Sequence, residues 1–398
     1  MNDVHLGDIA QINPRPATRP GSDDVVSFLG MADIDQDRGT TTTGHPRRYE
    51  EVSQGYTPFE DGDLLVAKIT PCFENGKIAQ ARLDYPLGMG STEFHIVRPD
   101  PSLLNARYAL HLLRSPEVRL AGERRMTGSA GQKRVPANFL QGLSVRLPTM
   151  DRQRRIADVL DRAAGLRAKR HRSVSSLDTL RWSLFRSSFG DLLSNDRSWT
   201  TAPLSELIAG FESGKNVVAK DSGDSSSRYR VLKISAVTSL RFRPEESKPA
   251  PADHQPASHH FIRAGDLLFS RANTTDLIGA TALVQTNHDN LLLPDKLWRL
   301  VWREPDEATP YFVRQLFQQP AFRREIGRRA SGSSGSMQNI SQAKVLNISV
   351  GLPPLALRQV FDEKVSQLEH SRTRLARHAA GLDVLVAGLH HRAFRGEM

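Results

Sequence analysis

One cysteine, Cys72, stands in 398 residues, so no internal disulfide can form and a disulfide scaffold is excluded. No apolar run approaches the ~18 residues that a membrane-spanning helix needs. The opening Met1-Asn-Asp-Val-His lacks the basic and apolar regions of a secretory signal, and the expected location is the cytoplasm. Zinc spacing is missing as well: His259-His260 and His390-His391 are adjacent pairs, expected to diverge, with no cysteine nearby. The closest approach to a nucleotide-binding glycine turn is Phe28-Leu-Gly-Met-Ala, which reads as strand and loop. Asp306 with Asp362-Glu363-Lys364 is the nearest thing to a hydrolytic set, but that triplet opens a helix, where charges are expected. No catalytic, metal or cofactor residue is assigned to this chain. Positive charge, by contrast, is in surplus. The formal net charge is +10 and the isoelectric point about 9.9, with a mean hydropathy of -0.43. Such a chain is soluble and favours a polyanionic partner.

Two stretches organise the rest. Asp151 to Phe189 runs without a proline, and Ile156, Ala163, Leu177 and Leu184 keep a seven-residue spacing broken only at Arg170. Val159, Leu166 and Leu180, three residues further on, are expected to complete the stripe. From Leu355 to Phe394 the pattern returns, with Phe361, Leu368, Leu375, Leu382 and Leu389 seven apart. Each stretch reads as a long helix whose apolar stripe needs a partner. The two are expected to pair antiparallel.

The segments between them repeat too. Gly62-Asp-Leu-Leu65 returns as Gly265-Asp-Leu-Leu268, and Leu113-Arg-Ser-Pro116 as Phe317-Gln-Gln-Pro320. Thr127-Gly-Ser-Ala-Gly-Gln132 returns as Ser331-Gly-Ser-Ser-Gly-Ser336, and Leu147-Pro148 as Leu352-Pro353. An offset that drifts by only two residues, from 203 to 205, marks a duplicated module. Strands are predicted at 25–29, 63–67, 77–81 and 143–147, and a helix capped by Asn105 that stops near Ser115-Pro116. The expected fold is α/β (α+β) in two copies, with an internal pseudo-two-fold repeat. Recognition domains span 1–150 and 191–354, and long helices span 151–190 and 355–398.

In this order, given twice, the chain resembles the specificity subunit of type I restriction-modification enzymes. The resemblance rests on the two Gly-Asp-Leu-Leu strands and on Ile69-Thr-Pro-Cys-Phe-Glu-Asn-Gly-Lys77. It rests equally on the Gly/Ser-rich loops, the Leu-Pro steps, and the helix starts Arg152-Gln-Arg-Arg-Ile156 and Arg358-Gln-Val-Phe361. It implies two target recognition domains, each reading half of a bipartite DNA sequence. The paired helices would set the half-site spacing and dock two modification subunits. It also implies that adenine methylation and cleavage are done by partner chains, with S-adenosylmethionine on the methyltransferase subunit and restriction subunits in the full complex. Two alternatives remain: the specificity part of a single-chain restriction-methylation enzyme, and a coiled-coil scaffold with incidental DNA binding. Methylation by the purified chain separates the first, and salt-dependent duplex binding the second.

The DNA-contact candidates are basic, amide or hydroxyl groups leaving a strand or a flexible loop. Lys68 and Thr70 follow the first Gly-Asp-Leu-Leu strand; Ser270, Arg271 and Asn273 follow the second. Gln132, Lys133 and Arg134 extend the first loop, with Ser336, Gln338 and Asn339 in the second. Arginine suits guanine and an amide suits adenine in the major groove, whereas lysine and serine hold phosphates. The same residues on an unrelated protein would be a solvated loop. The surplus of basic residues between Arg152 and Arg172 is either a DNA-facing or a merely solvated helix surface.

Overall fold

The computed structural model describes residues 2–16, 20–129, 131–215, 227–332 and 337–398. The chain divides into two compact units, Met1–Val174 with Arg374–Met398, and Ser175–Thr373.

In the first unit the Gly-Asp-Leu-Leu motif explains the central strand. Gly62 takes φ 85, a left-handed turn that glycine adopts at least cost. Asp63 is buried and accepts the Glu60 N–H at 2.7 Å and two bonds from the Arg98 guanidinium at 2.8 and 2.7 Å. The strand Leu64–Ala67 that follows is buried on both faces, in the sheet order Ala10–Ile12, Phe94–Pro99, Leu64–Ala67, Ile78–Gln80. Strands Thr40–Thr41 and Ile34–Asp35 extend it. A second sheet holds Val25–Leu29 parallel to Gly88–Gly90, and Asn2–His5 pairs antiparallel with Ser144–Leu147.

The second unit repeats this order. Its central sheet runs Ile208–Ser213, Leu297–Trp302, Leu267–Ser270, Thr281–Leu283. Gly265 takes φ 92, and Asp266 accepts the Arg263 N–H at 2.8 Å and an Arg299 N–H at 3.1 Å. Arg230–Leu232 lies parallel to Leu291–Leu292, and Thr200–Pro203 pairs with Ser349–Leu352. Mixed sheets with helices packed against them, given twice, are the expected fold class.

Helix Ala106–Arg114 starts as expected, with the Asn105 side chain accepting the Tyr108 N–H at 3.0 Å. The sequence reading ends helical structure at Ser115-Pro116; the structure starts a second helix there, Pro116–Glu123. The Ser115 hydroxyl caps it at Val118, and a proline in the first turn forfeits no helical hydrogen bond. Helices Pro310–Gln318 and Pro320–Arg329 repeat the arrangement.

The long helices are Met150–Phe189 and Leu355–Phe394, each of 40 residues. Their ends belong to the cores of the units. In the first unit Ile156, Ala157, Leu160 and Ala393 share a cluster with Leu112 and Phe139. In the second, Phe185, Phe189, Phe361 and Val365 pack with Phe312 and Leu316. The start of one helix thus meets the end of the other in each unit, so the helices run antiparallel.

Of the expected stripe, Ile156, Ala163 and Phe361 are buried, while Leu177, Leu184, Leu368, Leu375, Leu382 and Leu389 are half-buried. The companion row departs from expectation: Val159, Leu166 and Leu180 are 41%, 58% and 48% exposed. The inward row sits four residues on instead of three, at Leu160, Arg167, Val174, Arg181 and Ser188. Its counterpart is Val365, Arg372, Ala379, Val386 and Ala393. Apolarity alone ranks Leu166 above Arg167, but Arg167 has a partner. It meets Asp383 at 2.6 Å in the first unit, and Arg372 meets Asp178 at 3.1 Å in the second. These pairs are the same two positions, 205 residues apart in each case.

Candidate nucleic-acid interface

In the first unit the strand carrying Lys68 and the Gly/Ser-rich loop meet. Val135 donates its N–H to Lys68 at 2.9 Å, and Thr70 donates to Lys133 at 2.9 Å. The loop closes on itself through reciprocal bonds between Thr127 and Arg134, 3.0 and 2.8 Å. Gly128 and Gly131 take φ 125 and 83 in this turn. The stretches 68–70 and 132–134, about sixty residues apart in the chain, form one surface. Gln132 and Lys133 are exposed, and Lys68, Thr70 and Arg134 are half-buried. A groove of about 530 Å³ lined by Thr70, Glu74, Met126, Gly131 and Lys133 flanks it.

The second unit builds the same surface. Ala272–Asn273 pairs with Gln338–Asn339, Ile340 donates to Arg271 at 3.1 Å, and Ser331 and Asn339 exchange bonds of 2.8 and 2.9 Å. Matching these bonds aligns Arg271 with Lys68, Gln338 with Lys133, and Asn339 with Arg134. The second loop is therefore one residue longer than the first, not two as the position of Gln338 suggests. Arg271 is half-buried, Asn273 and Gln338 are half-buried, and Asn339 is exposed. Ser336 lies outside the described residues.

The side chains are already engaged. Arg134 grips Glu93 with bonds of 2.7 to 3.2 Å, and this bonding holds the Glu93 carboxyl below the usual range. Arg271 donates to the Asp295 carbonyl at 2.7 Å and lies 6.0 Å from the Trp298 ring centre. Thr70 donates to Glu74 at 2.8 Å. Ser270 departs from expectation. It is 0% exposed, and its hydroxyl turns inward to the Ala272 carbonyl and the Asn273 amide, so it supports Asn273 and cannot meet a polymer.

Glu93 and Lys296 are missed by the sequence reading. Their carbonyls accept the N–H of Lys68 and Arg271 respectively, at 2.9 and 3.2 Å, so they occupy one position in the two units. The charge there is inverted. Neither residue sits in a repeated motif, which is why pattern alone does not find them.

The His259 and His260 rings pack 4.3 Å apart instead of diverging. Among the described residues no group of three or more His, Cys, Asp or Glu side chains could hold a metal ion. Asp362 is no hydrolytic carboxylate: it accepts the Tyr311 and Phe312 N–H at 2.9 and 2.7 Å and caps their helix. Among the described residues no helix is long and apolar enough to cross a membrane.

This duplicated α/β architecture with two long helices is the fold of type I S subunits. The S subunit of a type I restriction-modification system from M. genitalium superposes with a TM-score of 0.57 at 13% identity, covering 99% of this chain and 96% of that one. In sequence, the chain is 25% identical over 448 aligned residues to the type I restriction enzyme EcoEI specificity subunit of Escherichia coli, covering 89% of this chain and 75% of that protein. It is 39% identical over 149 residues to the EcoAI specificity subunit of Escherichia coli, covering 37% of this chain and a quarter (25%) of that one. No protein-family model matches the chain. The resemblance carried by the repeated motifs is thereby borne out: type I specificity subunits are the proteins this chain is similar to.

Proposed function

We propose that the chain recognises DNA sequence as the specificity component of a type I restriction-modification assembly. Each unit reads one half of a bipartite target. One observation carries this reading: the same hydrogen-bonded surface occurs twice on the same backbone and differs in its side chains. Lys68, Lys133, Arg134 and Glu93 in one unit stand where Arg271, Gln338, Asn339 and Lys296 stand in the other. A binding module that read the same bases twice would keep them alike. Lys133 holds a phosphate, while Gln132, Arg271 and Asn339 are the base-reading candidates.

The chemistry belongs to partner chains. The chain needs no cofactor of its own, and S-adenosylmethionine sits on the modification subunits. The exposed apolar residues of the long helices suit docking of those subunits. Leu180 and Leu385 occupy repeat-equivalent positions and are 48% and 54% exposed. The helix pair sets the spacing of the half-sites.

The test is an exchange of residues 1–150 for the same region of a related subunit, with methylated positions mapped in cells that also hold the modification subunit. One half of the target should change and the other should stay. If both halves change, the units do not read independently.

A further inference from the structure

The first unit contains a pocket of about 250 Å³ whose wall carries Arg114, Arg119, Arg167, His111 and His390. Arg167 is neutralised by Asp383 at 2.6 Å. The other two arginines are not neutralised in this way. Arg114 donates to the backbone carbonyls of Gln36 and Asp37, and Arg119 to that of Glu74 at 2.6 Å; among the described residues neither joins an ion pair. The Asp37 side chain on the rim is exposed. Burial, and after it the neighbouring Arg107 and Arg167 charges, push the Arg114 guanidinium down to about 10.

Polar atoms in the same wall lack partners. His111 is 1% exposed; its Nε2 meets Asp161 at 2.7 Å, and its Nδ1 is buried without a hydrogen bond. The Nδ1 of His390 and the Nε of Arg119 are also buried and unpartnered. Buried polar atoms in folded proteins are nearly always satisfied. His111 Nε2 carries the proton given to Asp161, so its Nδ1 is an acceptor, and the certain unsatisfied donor is the Arg119 Nε–H. A cavity of this size with that N–H and two guanidiniums outside any ion pair suits an acceptor-rich anion.

At the equivalent positions of the second unit the wall is built from other residues. Phe185, fully buried, stands at the position of His390, and Gln318 at that of Arg114. Arg119 and Arg167 have counterparts: Arg323 donates to the Asp276 carbonyl at 2.5 Å, as Arg119 does to Glu74, and Arg372 meets Asp178 at 3.1 Å, as Arg167 meets Asp383. The pinning of that loop is common to both units. The two wall histidines are particular to one, since Gln315 and Phe185 stand at their positions in the second unit, whose own arginine-lined pocket of about 500 Å³ is built by Arg323, Arg324 and Arg328.

We infer that this pocket binds a small tetrahedral oxyanion of the phosphate class, held by the Arg114 and Arg119 guanidiniums. Planar guanidinium forks match phosphate oxygens two at a time, and a phosphoryl group with several waters fits the volume. The inference does not depend on the reading of DNA by the loops.

Inorganic phosphate is the probe, added to the full chain against chloride at equal ionic strength. About 50 mM phosphate should raise the melting temperature by roughly a few degrees, because the ion binds only the folded state. Arg119→Gln and His390→Phe should each lose the rise. His390→Phe installs the ring that the second unit carries as Phe185, so it should fold even if Arg119→Gln is destabilised. Arg323→Gln, the same position in the second unit, should keep the rise. Calorimetric titration of phosphate should agree variant by variant. Absence of a phosphate-specific rise in the unaltered chain overturns the inference. So does a rise that survives in His390→Phe and Arg119→Gln, or one that is lost in Arg323→Gln.

Discussion

In the first unit Asp63 clasps Arg98, and in the second Asp266 clasps Arg299; each carboxylate also closes the turn that its glycine opens. Away from that latch the units diverge. Both units keep the Arg–Asp pair on the long helices, but where the first meets them through His111 and His390 beside a basic pocket, the second uses Phe185, Phe189, Phe312 and Phe361. Beside those rings it buries Glu369 between Arg181 and Arg314. The backbone latch and the side chains around it are therefore physically separable. A duplicated module can keep its fold while its surface and interior become specific to one copy.

The sharpest way to break the comparison is through the charges on the helices. Glu369 is 4% exposed, and Glu369→Gln leaves two buried guanidiniums facing each other, at an expected cost of about 3–5 kcal/mol. Asp383→Asn removes a partner that is 40% exposed and should cost about 0–1 kcal/mol. Denaturant titration of both variants decides it. Equal losses would mean that burial does not distinguish the two units.

At the DNA surface the expected effects are smaller. Arg271→Ala and Gln132→Ala should each weaken specific binding by about 1–3 kcal/mol if they read bases. The penalty of each should be confined to one half-site, so duplexes altered in one half at a time are the measurement. A penalty spread over both halves by either variant would contradict independent reading.

Acid and base should separate the units with opposite signs. Burial pushes His390 from 6.5 down to about 3, so the unfolded chain takes up this proton first. Its contribution is present above about 6.5 and is lost as pH falls toward 3. Burial pushes Asp362 from 3.8 up to about 7, so the folded chain holds the proton. That contribution is full below about 3.8 and is lost as pH rises through 7. His390→Phe should flatten the acid side of the stability profile and Asp362→Asn the neutral side. If each variant leaves its own side unchanged, these groups do not set the profile.

The smallest effect belongs to Lys133→Ala. It should weaken binding to all sequences alike and reduce the salt slope by about one ion. Sequence-selective loss would make Lys133 a base reader.

The repeat, the sheet strands and the long helices are legible in the sequence because they follow from local rules. Glycine is needed where φ is positive at Gly62 and Gly265, apolar runs such as Leu64–Ala67 suit a strand buried on both faces, and Asn105 caps a helix. A copy of each rule 203 to 205 residues later identifies the duplication. Which face of the long helices turns inward is not a local matter. Arg167, Arg181 and Arg372 lie inward because Asp383, Glu369 and Asp178 reach them across the fold, while the more apolar Leu166 and Leu180 lie outward. The candidate interface divides the same way. The motifs supplied Lys68 and Arg271, but only the folded chain sets Glu93 and Lys296 beside them and withdraws Ser270 into the core. Backbone conformation is dictated by neighbours in sequence. Burial and charge compensation are dictated by neighbours in space, and those the tertiary structure alone decides.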